Sequence, residues 1–143
     1  MARPEPALLD PANYPWSCAM ETRFGDLDMN RHINNVALAG LLEDARVRFL
    51  AATRLDEATA EIDGLVAHFA IDYLAQGQYP DPVEIFVGAT ALGRSSYQQV
   101  QLVRQGDQII AFARSVLVCV NEAGTLPMPP ALVAALQNWQ VRA

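Results

Sequence analysis

One segment of helix length constrains the fold more than any other feature of this sequence. Residues 36–42 are apolar almost without interruption, and the pattern continues to about residue 55 with apolar positions three and four residues apart. These positions are Leu38, Leu42, Ala45, Phe49 and Ala52. A helix that is apolar on nearly every side must be surrounded by protein. We therefore predict one long buried helix, with Asn34 or Asn35 able to cap its start.

The remaining ordered sequence is typical of β-strands. Residues 16–24 predict a first strand that ends at the Gly25-Asp26 turn. Alternating apolar residues between turn signals predict four more, at residues 65–74, 83–92, 97–104 and 109–120. A short helix begun by Pro129-Pro130 is expected to follow at residues 128–139.

These elements predict one α+β domain at residues 16–143, in which a curved antiparallel sheet of about five strands wraps a central helix. Four prolines within residues 1–15 predict an extended N-terminal arm. One helix can cover only one face of such a sheet. We therefore expect the other face to meet another subunit.

Composition and charge exclude several classes of partner. The net charge is −6, and the ten basic residues are all arginines without a basic stripe, which argues against a nucleic-acid partner. No apolar run approaches the roughly 20 residues of a membrane span, and the N-terminus lacks a secretory pattern, so a cytoplasmic location is expected. Cys18 and Cys119 lie in apolar segments and are expected to be small core residues without a disulfide.

The polar loop 26–35 holds most of the reactive side chains in one place. It contains two carboxylates, one imidazole and three carboxamides directly before the buried helix. Asp and Asn also recur in turns and caps, so composition alone leaves a structural and a functional interpretation open. We expect Asp26 to shape the turn. Glu43 is an alternative acid in the helix, but we expect it to pair with Arg46 one turn away.

The order of residues in this loop resembles the signature of the hot-dog-fold thioesterases, of the 4-hydroxybenzoyl-CoA thioesterase type. The most specific run is Asp28-Met29-Asn30-Arg31-His32-Ile33-Asn34-Asn35. Further similar segments are Glu43-Asp44-Ala45-Arg46, Ile71-Asp72-Tyr73-Leu74, Gly93-Arg94-Ser95-Ser96 and Leu126-Pro127-Met128-Pro129. The resemblance covers about residues 16–137 and implies the hot-dog fold.

The resemblance also implies roles for individual residues. Asp28 takes the place of the catalytic carboxylate, either as nucleophile or as general base on water. Asn30 and His32 match the Asp-x-Asn-x-His run of the plant acyl-ACP thioesterases and would orient water or substrate. Asn34 would shape the substrate site, and Arg94 and Ser95 would lie near bound coenzyme A.

Two departures bear on this assignment. A further acid of the acyl-ACP enzymes falls at Gln76 here, and Leu38 and Leu41 stand where relatives often have tyrosines, which favours aliphatic acyl groups. We predict a homodimeric or homotetrameric acyl-CoA thioesterase that needs no metal or prosthetic group. The alternatives are a non-catalytic acyl-CoA-binding protein and, less well matched in its Asp-to-His spacing, a hot-dog enoyl-CoA hydratase.

Overall fold

A computed structural model describes residues 3–59 and 62–142. Its strands are β1 (Trp16–Met20), β2 (Asp63–Tyr73), β3 (Val83–Leu92), β4 (Ser96–Gln105), β5 (Gln108–Asn121) and the two-residue β6 (Gly124–Thr125). Its helices are α1 (Asn35–Ala52), the short α2 (Leu55–Ala58) and α3 (Pro130–Gln137). Among the helices of the described residues, none is long and apolar enough to span a membrane.

All the strands belong to one antiparallel sheet. The strand order is β1-β3-β4-β5-β2, with β6 paired to β5. β1 and β2 therefore form the two edges of the sheet. In the sequence, β1 is followed by the loop that leads into α1. The predicted α+β hot-dog arrangement of one long helix and a sheet of about five main strands is confirmed.

The core lies between α1 and the sheet. Leu42, Ala45 and Phe49 of α1 are fully buried. The Phe49 ring meets Trp16 and Trp139 edge-on, with ring centroids 5.5 and 6.2 Å away. Side chains from both ends of the chain thus hold the buried half of α1 in place.

α3 and the cysteines complete this core. Leu132 and Leu136 of α3 are fully buried in the same cluster. Cys119 is buried and Cys18 is packed against the cluster. Both cysteines are free thiols, as predicted.

α1 ends three residues earlier than predicted. The Thr53 hydroxyl donates to the Phe49 carbonyl at 2.6 Å, which satisfies a carbonyl of the last turn. Arg54 then takes the left-handed conformation with φ of 61°, which ends the helix. The sequence pattern predicts a longer helix because Leu55 is also a buried apolar residue. Leu55 belongs to the next helix, α2.

β1 is also shorter than predicted. Its last residue, Met20, pairs with Val83, the first residue of β3. Pro82 precedes Val83 and has no N–H to continue the ladder. Beyond Met20 the Thr22 hydroxyl donates to the Asp81 carbonyl at 3.0 Å, and a 3-10 turn (Phe24–Asp26) replaces the predicted end of the strand.

The N-terminal arm predicted for residues 1–15 is not extended in its described part, residues 3–15, and residues 1 and 2 lie outside the described residues. It forms two 3-10 turns, Pro6–Leu9 and Pro11–Asn13. Leu8 and Tyr14 are buried in a second cluster with Phe86, Leu102 and Phe112, on the sheet face away from α1. This part of the outer face is therefore covered by the chain's own arm. For the rest of that face, contact with another subunit remains a prediction.

Arg46 does not lie on a solvated flank beside Glu43. It is buried, donates to Oε1 of Gln101 at 3.1 Å and stacks over the Phe69 ring, with 4.8 Å from Cζ to the centroid. Burial lowers the pKa of Arg46. Gln101 also donates to the Leu42 carbonyl at 2.9 Å, so this pair fastens the middle of α1 to β4.

Candidate functional site

The loop before α1 folds into a small hairpin, residues 27–33. Leu27 and Ile33 form an isolated antiparallel bridge at its base. The Asp28 N–H donates to the His32 carbonyl and the Arg31 N–H donates to the Asp28 carbonyl, both at 3.0 Å. Arg31 closes the tip with φ of 61°. The backbone of this hairpin is thus defined by its own hydrogen bonds.

The Asp28 carboxylate lies inside this hairpin. Its Oδ1 accepts the N–H of Asn30 at 2.8 Å and the N–H of His32 at 3.4 Å. Two backbone donors on one oxygen hold the carboxylate in one orientation. The other oxygen, Oδ2, takes no part in these two bonds.

Asp28 also lines a pocket of about 340 Å³, hereafter the Asp28 pocket. It lies between the first turn of α1, the end of β2 and the start of β5. The wall residues that matter here are Asp28, Asn35, Leu38, Tyr73, Gln76 and Ile110. A half-buried carboxylate therefore meets apolar side chains and the N-terminal end of α1 in one cleft.

The backbones of Asn30 and His32 reach Asp28, but their side chains are placed differently. Asn30 is exposed and His32 is half-buried. Neither is among the described residues that line the Asp28 pocket. Their catalytic roles remain predictions.

Asn34 caps α1. Its Oδ1 accepts the Val36 N–H at 2.7 Å, and its own N–H donates to the Asp26 carbonyl at 2.8 Å. It lines a separate groove of about 820 Å³ between α1 and β1 rather than the Asp28 pocket. The cap occupies its side-chain acceptor, and its substrate role remains a prediction.

Asp26 shapes the turn, as predicted. It is buried, and its carboxylate accepts the Arg23 N–H at 3.0 Å and pairs with the Arg23 guanidinium at 2.9 Å. The hydrogen bond and charge of Asp26 raise the pKa of Arg23. Asp26 is therefore engaged with its own turn.

Arg94 and Ser95 lie at the turn between β3 and β4. The Ser95 carbonyl accepts the Cys119 N–H at 2.9 Å. Cys119 is nine residues along β5 from Ile110 of the Asp28 pocket, or about 30 Å of strand. One subunit thus does not bring this pair to Asp28, and their contact with coenzyme A remains a prediction.

Several pocket residues carried no clear signal of function in the sequence. Gln76 was noted only as a departure, yet it lines the Asp28 pocket. Tyr73 belongs to a segment that resembles the family, and its hydroxyl donates to the Asn35 carbonyl at 3.1 Å. Burial raises the pKa of Tyr73. That Ile110 lines the pocket could be recognised only from the register of β5 against β2.

Candidate metal ligands are scattered. Within residues 3–59 and 62–142, no three His, Cys, Asp or Glu side chains are grouped closely enough to hold a metal ion. The predicted independence from a metal remains a prediction.

Solved structures similar to this chain agree on the architecture. The PA5185 protein from Pseudomonas aeruginosa strain PAO1 is 28% identical, with a TM-score of 0.80 over 93% of this chain and 96% of that one. A thioesterase from Thermus thermophilus, complexed with coenzyme A and zinc, is 29% identical, with a TM-score of 0.77 over 87% and 94%. A thioesterase-superfamily protein from Jannaschia sp. CCS1 is 25% identical, with a TM-score of 0.77 over 91% and 86%.

The comparison with curated proteins yields no match. A family model described as the thioesterase-like superfamily matches residues 22–136, which include the Asp28 hairpin, α1 and the strands that form the pocket. With most of its length matched in this way, the chain belongs to the thioesterase-like superfamily.

Proposed function

We propose that this protein hydrolyses an acyl-CoA thioester to the free acid and coenzyme A, with Asp28 as the reacting carboxylate. One observation carries the proposal. Asp28 is held by two backbone N–H groups at the wall of a pocket that also contains the first turn of α1. Membership of the thioesterase-like superfamily supports thioester hydrolysis as the reaction.

The chemistry can follow two routes from this geometry. As general base, Asp28 takes a proton from water, the water oxygen bonds to the thioester carbonyl carbon, and the C–S bond breaks to release the thiolate, which is then protonated. As nucleophile, Asp28 itself bonds to that carbon and expels the thiolate, and water hydrolyses the resulting anhydride. In both routes the N-terminal end of α1 at Asn35 would stabilise the developing oxyanion.

Coenzyme A as the thiol is supported by the Thermus thermophilus relative, which was solved with coenzyme A. Arg31 is exposed at the tip of the hairpin, three residues from Asp28, and offers a guanidinium for a phosphate at the pocket mouth. Arg94 could serve the same purpose only at the far end of the strands or on a partner subunit.

An aliphatic acyl group is supported by the apolar wall of the pocket. Leu38 is buried and lines it together with Ile110. Leu41 lines the groove on the β1 side of α1 instead. Of the two leucines considered, Leu38 is therefore the one that would select the acyl group.

We also propose self-association through the edge of β2. Leu65 and Val66 on this edge are 54% and 47% exposed. A long exposed apolar edge invites pairing with another strand. A second copy related by a two-fold axis satisfies that edge with its own β2. Such a dimer can pair again to a tetramer.

The test is hydrolysis of acetyl-, hexanoyl-, benzoyl- and palmitoyl-CoA, followed by a colorimetric thiol reagent and compared with Asp28→Asn. Thiol release that depends on Asp28 is the expected result, with hexanoyl-CoA preferred over benzoyl-CoA. Saturable binding without thiol release would instead assign the protein to the non-catalytic acyl-CoA binders. Thiol release that is unchanged in Asp28→Asn would remove Asp28 from the mechanism.

A further inference from the structure

We propose that Gln105 is a positioning residue for Asp28, acting through the loop 76–81; the proposal rests on the proposed hydrolysis. Gln105 is the last residue of β4 and does not line the Asp28 pocket. It is linked to the reacting carboxylate by a continuous series of contacts that starts at its carboxamide.

The Gln105 carboxamide binds this loop at three points. Its Oε1 accepts the Gln78 N–H at 2.7 Å, and its Nε2 donates to the carbonyls of Gln78 and Asp81, both at 2.8 Å. Gln105 is 9% exposed, and the three bonds are part-buried. The side chain thus replaces the sheet partner that the loop backbone lacks.

The loop in turn holds the Asp28 hairpin. The Ile33 N–H donates to the Gly77 carbonyl at 3.0 Å. A Cβ at position 77 would meet Ile33 Cδ1 at 2.9 Å, so a side chain at residue 77 would have to displace Ile33. The base of the hairpin is therefore packed directly on the backbone that Gln105 fixes.

The last contacts lead from Ile33 to the carboxylate. Ile33 pairs with Leu27 at the hairpin base, and His32 and Asp28 are joined through the Asp28 N–H. A shift of the loop 76–81 thus moves the hairpin relative to α1 and to the Tyr73 and Ile110 side of the pocket. Misplacement of a reacting group by about 1 Å can cost on the order of 10²-fold in rate. Gln105 acts on the rate through this geometry rather than by touching the substrate.

The main test compares Gln105→Met with Gln101→Met. Both variants replace a buried glutamine of β4 with a side chain of similar size. Gln101 binds Arg46 and the middle of α1, whereas Gln105 binds the loop. With hexanoyl-CoA we expect Gln105→Met to lower kcat by about 10- to 100-fold with little change in KM. Gln101→Met is expected to lower the thermal midpoint to a similar extent and leave kcat within about twofold.

Two further measurements separate positioning from general damage. In an Asp28→Asn background, Gln105→Met should have no additional effect on the residual rate, because the two residues act as a unit. Amide hydrogen exchange at Ile33 should accelerate in Gln105→Met and stay unchanged in Gln101→Met. The exchange measurement needs no enzymatic activity, so it decides the link to Gln105 even if the wild type hydrolyses no thioester.

If Gln105→Met does not fold, Gly77→Ala probes the same junction from the other side. Its Cβ should displace Ile33 and lower kcat, and Ile33→Val, which removes Cδ1, should restore part of the rate. An unchanged kcat in the Gln105 or Gly77 variant, or an equal loss in Gln101→Met, would overturn the proposal. Unchanged exchange at Ile33 would do the same.

Discussion

The backbone N–H of Asn30 donates to Oδ1 of Asp28 at 2.8 Å. An asparagine at position 28 could accept this bond in the same way, because its side-chain carbonyl takes the place of that oxygen. Structure and charge at position 28 can therefore be tested separately.

We expect Asp28→Asn to keep the free energy of unfolding within about 0.5 kcal/mol and to lower kcat by about 10²-fold or more. Asp28→Ala should lose the same activity and also about 1 kcal/mol of stability, since the hairpin amides lose their acceptor. Urea unfolding and thiol release measure the two effects. Equal stability of the two variants would show that a side-chain acceptor at position 28 does not support the hairpin.

Arg31 and Arg94 offer competing sites for the phosphates of coenzyme A. We expect Arg31→Ala to raise KM for hexanoyl-CoA by about 3- to 10-fold, as the loss of one exposed charge-assisted bond implies. Hexanoyl-pantetheine, which lacks the nucleotide, should show no difference between Arg31→Ala and the wild type. A larger KM effect from Arg94→Ala would place the nucleotide at the turn between β3 and β4 instead.

The exposed edge of β2 predicts a change in assembly. Val66→Lys should raise the dissociation constant of the dimer by about 10²-fold or more, because a charge would be buried against the partner strand. Ala19→Lys, on the opposite edge strand β1, is the matched control and should leave the dimer intact. Sedimentation velocity over a range of concentrations distinguishes the two. A wild-type protein that stays monomeric at every concentration would refute the proposed interface.

We expect that removing the Ser115 hydroxyl does not destabilise the protein. The hydroxyl is fully buried and has no hydrogen-bond partner among the described residues. Ser115→Ala should therefore leave the free energy of unfolding unchanged or raise it by about 1 kcal/mol.

Gln101→Met should lower the free energy of unfolding by about 1–3 kcal/mol, since Arg46 and the Leu42 carbonyl lose their partner. Chemical denaturation measures both, and a destabilised Ser115→Ala would contradict the expectation.

We expect the protein to lose stability at alkaline pH because Tyr97 is buried. Burial raises the pKa of Tyr97 from 10.0 to about 12. Folding thus favours the neutral phenol, and this contribution is complete below pH 10.0 and is lost as the pH rises towards 12. Tyr97→Phe should make the decline shallower by up to about 1.4 kcal/mol per pH unit over that range. Urea titrations at several pH values check this, and parallel curves for the two proteins would contradict it.

The main elements could be predicted because their signals are local. The three- and four-residue spacing around Leu42 and Phe49 is enough to identify a buried helix. Alternating residues and the turns at Gly93 and Gly106 indicate the strands of the sheet. The clustering of Asp28, Asn30 and His32 in one loop is likewise visible without any tertiary contact.

Tertiary structure alone decided which of these residues meet. Arg46 has the spacing of a surface partner for Glu43. Because β4 lies beneath α1, Arg46 instead donates to Gln101, and the Phe69 ring of β2 helps to bury Arg46. Arg94 resembles a ligand for coenzyme A, but the register of β4 against β5 places it far from Asp28. The Asp28 pocket and the contact between Gly77 and Ile33 join segments that are remote in the sequence. Local preferences fix backbone conformation, whereas contacts between distant segments depend on strand register and packing.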